Sequence, residues 1–162
     1  SGEINFPTVG RIDGDFRKSM ADSGMSFQRE AEVMGLAGSL GLFTMAYVFN
    51  PEESKMMADQ GIDAVVAHMK TTTGGSVGSK RPMSLEEAGE KCAEIFSAAQ
   101  SVKLDVLCLA HGGPIEGPEA TEYIYRHTQA VGFVGASSVE RIPAEEAIQK
   151  MTEKFKSQNI PK

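Results

Sequence analysis

Two histidines close apolar runs in this sequence, and glycine-rich segments follow two of the runs. His68 lies near the end of Ile62 to Met69 (IDAVVAHM). His111 follows Leu104 to Ala110 (LDVLCLA), and Gly112, Gly113 and Pro114 come directly after it. A second glycine loop, Gly135-Ala136-Ser137-Ser138, follows Val131 to Val134 (VGFV). Imidazole titrates near neutral pH, so it can shuttle a proton or hold a phosphate dianion. A glycine turn after a strand lets backbone approach a ligand closely, and a helix start beyond it points free N–H groups at an anion. The chemistry these residues could do together is proton transfer beside a bound phosphate. His68 and His111 are the candidate catalytic pair, and Gly112, Gly113, Gly135, Ser137 and Ser138 are candidate phosphate donors. A single histidine at a strand end can serve only backbone groups, and glycine also serves tight turns. Two histidines at equivalent strand ends beside such loops favour a site.

A third polar segment holds Thr72, Thr73, Gly74, Gly75 and Ser76, with Lys80 and Arg81 just beyond. Its hydroxyls and glycines suit a lid over a ligand, with a cation supplied behind it. The alternative is a solvated surface loop. Asn5, Thr8, Asp13 and Arg17 surround the first expected strand end, and Tyr47 and Asn50 flank the second. No Cys/His spacing for zinc, HExxH, P-loop or strand-borne GxGxxG occurs, and no acidic cluster would hold magnesium unaided. A magnesium ion is expected only with a substrate phosphate.

Apolar runs alternating with helical patterns must position these residues. Strands are expected at Ile4 to Val9, Leu42 to Phe49, Ile62 to Met69, Asp105 to Ala110 and Gly132 to Val134. Helices are expected at Asp15 to Ala21 and at Ser26 to Leu40, with Ser26 as N-cap. Asn50 caps a proline-first helix that stops at Gly61. Ser84-Leu85-Glu86-Glu87 has the capping-box pattern and opens a helix to about Val102. Pro118 to Gln129 and Pro143 to Gln158 follow, the last with Ala147, Met151 and Phe155 marking its buried face. Strands that are apolar on both sides and joined by helices indicate a parallel sheet in one α/β domain spanning 1–162. Five such units leave two architectures open, a doubly wound sheet or part of a (β/α)8 barrel.

The chain has 162 residues, of which 41% are apolar and 23% charged, enough for one globular core. A net charge of −6 without a basic cluster argues against a nucleic-acid surface. No apolar run is long enough to span a membrane, and the N-terminal residues lack the pattern of a signal peptide. Cys92 and Cys108 read as buried reduced thiols, which fits a cytoplasmic location. The nine methionines read as core filler.

Six segments in a fixed order make the sequence recognisable: NFPTVGRIDGDFR (5–17), GMSFQREAEVM (24–34), TMAYVFNPEE (44–53), AHMKTTTGGSVGSK (67–80), LAHGGPI (109–115) and GFVGASSVERIPAEEAI (132–148). The chain resembles the phosphoenolpyruvate hydrolase-like family, also called predicted TIM-barrel signal-transduction proteins. The resemblance implies the α/β TIM (β/α)8-barrel class, with this chain corresponding to the last five βα units of a partial barrel. The two glycine loops then follow the seventh and eighth strands, where many such barrels place a phosphate. It also implies a site role for Glu140, as a third catalytic group, and for Arg141 as a ligand contact, because the family repeats this Glu-Arg pair. The chain departs from the family at Gly38 (histidine there), Ala46 (proline) and Lys70 (glycine).

Two functions are expected from these readings. The first is a hydrolase acting on phosphoenolpyruvate or a similar small phosphorylated or phosphonate carboxylic acid. The second, motivated by the departures, is a non-catalytic metabolite-sensing or protein-interaction module of the same fold. A partial barrel leaves apolar faces and edges unpaired, so the expected partner is a second copy or the N-terminal barrel segment.

Overall fold

The computed structural model describes residues 9–70 and 83–159. Within them, four parallel strands lie in sequential order: β1 (Met45–Val48), β2 (Ala64–His68), β3 (Leu107–His111) and β4 (Gly132–Phe133). Six helices accompany them: α1 (Gly14–Asp22), α2 (Phe27–Ser39), α3 (Pro51–Asp59), α4 (Leu85–Gln100), α5 (Pro118–His127) and α6 (Ile142–Lys156). A doubly wound sheet needs a reversal in strand order. None occurs among the described strands, and right-handed crossovers in one direction lay successive helices on the same face. Helices α2 to α5 accordingly pack side by side.

Local sequence sets the helix starts. The Ser26 hydroxyl accepts the Arg29 N–H at 3.1 Å, and Asn50 Oδ1 accepts the Glu53 N–H at 2.8 Å. The expected capping box forms at α4: Ser84 Oγ accepts the Glu87 N–H at 3.1 Å while Glu87 Oε2 accepts the Ser84 N–H at 2.9 Å. Gly61, with φ of +78°, turns the chain out of α3. These bonds satisfy donors that a helix start leaves unpaired.

The sheet sorts its side chains by alternation. Ala46, Val48, Val65, Ala67, Cys108 and Ala110 face the helices and join Met57, Cys92, Ile95 and Phe96 in the core. Both cysteines are free and buried there. The Ser54 hydroxyl donates to the Ile95 carbonyl at 2.8 Å, a buried tie between α3 and α4. Tyr47, His68 and His111 lie on the opposite face, with Met45 and Leu107 exposed at its far end. At that end Asp63 Oδ2 accepts the Thr44 N–H at 2.6 Å and its hydroxyl at 3.0 Å, fixing where β1 and β2 begin.

Several expectations change. The strands are shorter than their apolar runs: Leu42 and Phe43 precede β1 and are exposed. The expected first strand lies almost wholly outside the described residues, and Val9 belongs to a 3-10 turn, Val9–Arg11. The expected buried face of α6 is exposed: Met151 and Phe155 are 53% and 67% accessible and Ala147 is exposed. The period on α6 is present, but no described element lies against it.

Candidate functional site

The carboxyl ends of β1, β2 and β3 bring four rings together. In-register pairing sets His68 directly beside His111. Their ring centroids are 4.6 Å apart and nearly perpendicular. Tyr47, one strand over, lies 5.1 Å from each imidazole, and Phe49 stacks on His68 at 4.8 Å and 24°. The convergence follows from the parallel register, which puts residues of equal height and equal facing side by side.

The two histidines differ in wiring. His111 Nδ1 lies 2.7 Å from the Val134 carbonyl oxygen. A carbonyl only accepts, so Nδ1 carries the hydrogen and Nε2 keeps its lone pair. His68 is 7% accessible, and its Nδ1 is a buried nitrogen without a hydrogen-bond partner among the described residues. Burial pushes the His68 pKa down to about 4, helped by the neighbouring His111 and by the charge of Arg11. Burial also lowers that of His111, with Arg11 adding to it and the Val134 bond opposing it. Both imidazoles are therefore neutral at pH 7. The site offers bases and hydrogen-bonding nitrogens rather than imidazolium charges, and among the described residues the cation that acts on both rings is Arg11.

The loops beyond the histidines are tied to one another. Met69 N–H donates to the His111 carbonyl at 2.8 Å, and Gly113 N–H donates to the Lys70 carbonyl at 3.2 Å. Gly112 and Gly113 have φ of +75° and +59°. A Cβ at Gly112 would lie 2.5 Å from the Lys70 oxygen, and one at Gly113 would lie 2.5 Å from the Met69 oxygen. Glycine is required here by close backbone approach, and the Gly113 N–H is already engaged. Lys70 itself has φ of +67°, the one non-glycine residue with positive φ among the described residues.

After β4, residues 136–141 form a helical turn. Val139 and Glu140 N–H groups donate to Ala136, and those of Arg141 and Ile142 donate to Ser137. Ser137 and Ser138 stand in the first turn, where N–H groups have no intrahelical partner. A Cβ on Gly135 would meet Val139 Cγ2 at 2.6 Å, so glycine lets this turn fold back. Arg141 pairs with Glu145 at 3.0 Å rather than with its neighbour Glu140, which is exposed.

Of the candidates read from sequence, the structure brings together His68, His111, Gly112 and Gly113. Gly135, Ser137, Ser138, Glu140 and Arg141 follow the Val134 carbonyl that anchors His111. Thr72, Thr73, Gly74 and Gly75 lie outside the described residues, as do Asn5 and Thr8. Sequence reasoning missed Phe49, Arg11 and Glu53. Phe49 reads as the last apolar residue of a strand, and Glu53 reads as an ordinary acidic residue in a first helical turn. Among the described residues, no three His, Cys, Asp or Glu side chains converge to hold a metal ion. No described helix is long and apolar enough to cross a membrane.

Comparison with known proteins covers nearly the whole chain. The family model described as phosphoenolpyruvate hydrolase-like matches residues 1–158. The ToMV susceptible protein tm-1(GCR26) and the ToMV resistance protein Tm-1(GCR237), both of Solanum lycopersicum, are 44% identical over 157 residues, 96% of this chain and 21% of theirs. The protein y4pA of Sinorhizobium fredii, whose name makes it a candidate transcriptional regulator, is 34% identical over 154 residues, 95% of this chain and 25% of its own. The chain thus spans about a fifth to a quarter of the length of these relatives.

Proposed function

The chain belongs to the phosphoenolpyruvate hydrolase-like family, and on that premise we propose that its histidine rim binds and hydrolyses a small phosphorylated or phosphonate carboxylic acid. The observation that carries the reading is the His68–His111 pair in ring contact, with His111 Nδ1 held on the Val134 carbonyl. His111 Nε2 takes a proton from the attacking water and, as the imidazolium, returns it to the leaving group as the bond to phosphorus breaks. Arg11 supplies positive charge beside the pair, and the first-turn N–H groups of Ser137 and Ser138 hold phosphoryl oxygens. In this reading Glu140 and Arg141 complete the ligand contacts, and any magnesium ion arrives on the phosphate. Four consecutive parallel strands with helices on one face support part of a TIM-type barrel as the architecture. The faces left open take either a second copy of the chain or a segment bearing further barrel strands.

The test is phosphate release from phosphoenolpyruvate, followed by 31P NMR. Wild-type chain releases phosphate, and His111→Gln lowers the rate by about 10²–10⁴-fold, the usual contribution of a positioned acid or base. Unchanged turnover in that variant overturns the assignment.

One observation favours a second reading, a binding module without turnover. The Gly113 N–H that a phosphate loop would offer is bonded to Lys70, at a position where glycine was expected. The tomato relatives, named for ToMV resistance and susceptibility rather than for a reaction, fit this reading. Phosphoenolpyruvate binding that shifts the Ser137 and Ser138 amides without phosphate release would decide for it.

A further inference from the structure

The His68 imidazole is held by a neighbour that lies outside the sheet ladder. Its ring packs on Phe49, with centroids 4.8 Å apart and planes 24° from parallel. Gly10 lies against one edge of the Phe49 ring: a Cβ there would lie 2.5 and 2.8 Å from Phe49 Cδ2 and Cε2. No side chain larger than hydrogen fits between the 3-10 turn and the ring. Phe49 follows the end of β1, beyond the ladder that holds Met45 to Val48. Its backbone is held instead by Glu53, whose Oε2 accepts the Phe49 N–H at 2.9 Å.

Glu53 is 3% accessible. A carboxylate so buried is costly unless paired. Its partner is Arg17 of α1, with Nη2 2.7 Å from Oε1. The two oxygens are thus divided, one to the backbone of Phe49 and one to Arg17. Gly10 is drawn into the same cluster, since its Cβ position is also 3.1 Å from Glu53 Oε2. The Arg17 guanidinium lies 5.9 Å above the Phe27 ring, which anchors α1 to the first residue of α2.

We infer that Glu53 is a positioning residue for His68, tying the end of β1 to α1 so that Phe49 stays packed on the His68 imidazole with Gly10 at its edge. It touches neither imidazole and acts through Phe49. The inference deepens the proposed function, because it matters for turnover only if His68 belongs to the working site. The stack itself is a matter of geometry and can be tested apart from activity.

Glu53→Gln preserves shape but leaves one oxygen for two donors. Either the Phe49 N–H or Arg17 loses its acceptor, and the amide NH2 then faces a second donor. Gly10→Ala keeps the carboxylate in the chain and displaces the Phe49 ring, its Cβ meeting Cδ2 before Glu53 Oε2. Glu53→Asp keeps the charge on a shorter arm and serves if Glu53→Gln does not fold. The readout is the His68 ring-proton resonance and its NOE to Phe49, with His127 on α5 as an internal reporter that shares none of these contacts. In each variant the His68 resonance is expected to move downfield, toward its unstacked value, and the NOE to weaken, while His127 stays fixed. Phosphate release from phosphoenolpyruvate should fall by up to about 10²-fold, as for other displaced site groups. A His68 resonance and NOE unchanged in folded Glu53→Gln or Glu53→Asp would overturn the inference. Altered stacking in a chain that neither binds nor cleaves phosphoenolpyruvate would uphold the positioning role and remove the functional reading beneath it.

Discussion

At the residue scale, Lys70 shows most directly how the backbone constrains the site. A lysine in the left-handed region carries a steric penalty of roughly 1–2 kcal/mol, which glycine avoids at a smaller entropic cost. Lys70→Gly should therefore raise stability by about 1 kcal/mol in chemical denaturation. Gly113→Ala should lower it by more than that, because strain and the 2.5 Å approach to Met69 act together. His68 makes a pH prediction. Its folded pKa of about 4 lies below the ordinary value near 6.5, so between those values the unfolded chain binds a proton that the folded chain refuses. Stability is whole above about pH 6.5 and falls as the pH drops toward 4, with His68 contributing on the order of 3 kcal/mol. In acid titrations followed by urea unfolding, His68→Gln should lose less stability over this window than wild type. An identical slope in both proteins would contradict it. The histidines were legible in the sequence because each closes an apolar run beside a recognisable turn. Phe49, Arg11 and Glu53 were not, because their roles depend on contacts across elements that spacing does not encode.

At the scale of elements, what was local was readable. The Ser26, Asn50 and Ser84 caps form as their sequences indicate, since each bond lies within four residues. Ser84→Ala should cost about 1 kcal/mol by thermal or chemical denaturation, and Glu87→Ala a smaller amount, since it removes only the reciprocal bond. Strand ends were less legible. Apolar character extends through Leu42 and Phe43, but the ladder starts only at Met45 and Ala64, just past the Thr44–Asp63 tie. The α6 period is amphipathic, yet burying its apolar face takes a neighbour, and Met151 and Phe155 are exposed. Periodicity tells which face is apolar and is silent about what covers it.

At the scale of the molecule, the apolar residues Ile148, Met151 and Phe155 on α6 and Leu36, Leu40 and Phe43 around the start of β1 are all more than half accessible. Exposed apolar patches of this kind favour association. The 17.4 kDa chain is expected to sediment as a larger species at micromolar concentration. Met151→Glu together with Phe155→Glu should shift it toward monomer while leaving the His68 resonance in place. A wild-type chain that sediments only as a monomer would count against a second copy as the partner. The sequential order of the strands also governs how the chain finds its fold. β1 meets β2 across α3 alone, pairing Met45 with Ala64, whereas Ala64 meets Leu107 only after a loop more than twice as long closes. Each doubling of a loop adds only about 0.6 kcal/mol of closure entropy. The β1–α3–β2 and β3–α5–β4 units, each closed by a short crossover, are therefore expected to pair before β2 meets β3, and the two histidines meet only in that later step. Substitutions at Val48 or Met57, inside one short unit, should slow refolding, while a substitution that loosens only the β2–β3 contact should chiefly speed unfolding, as refolding and unfolding rates in urea would show. On that order the scaffold forms before the histidine pair closes, so a chain arrested at the first unit would hold His68 without His111 beside it.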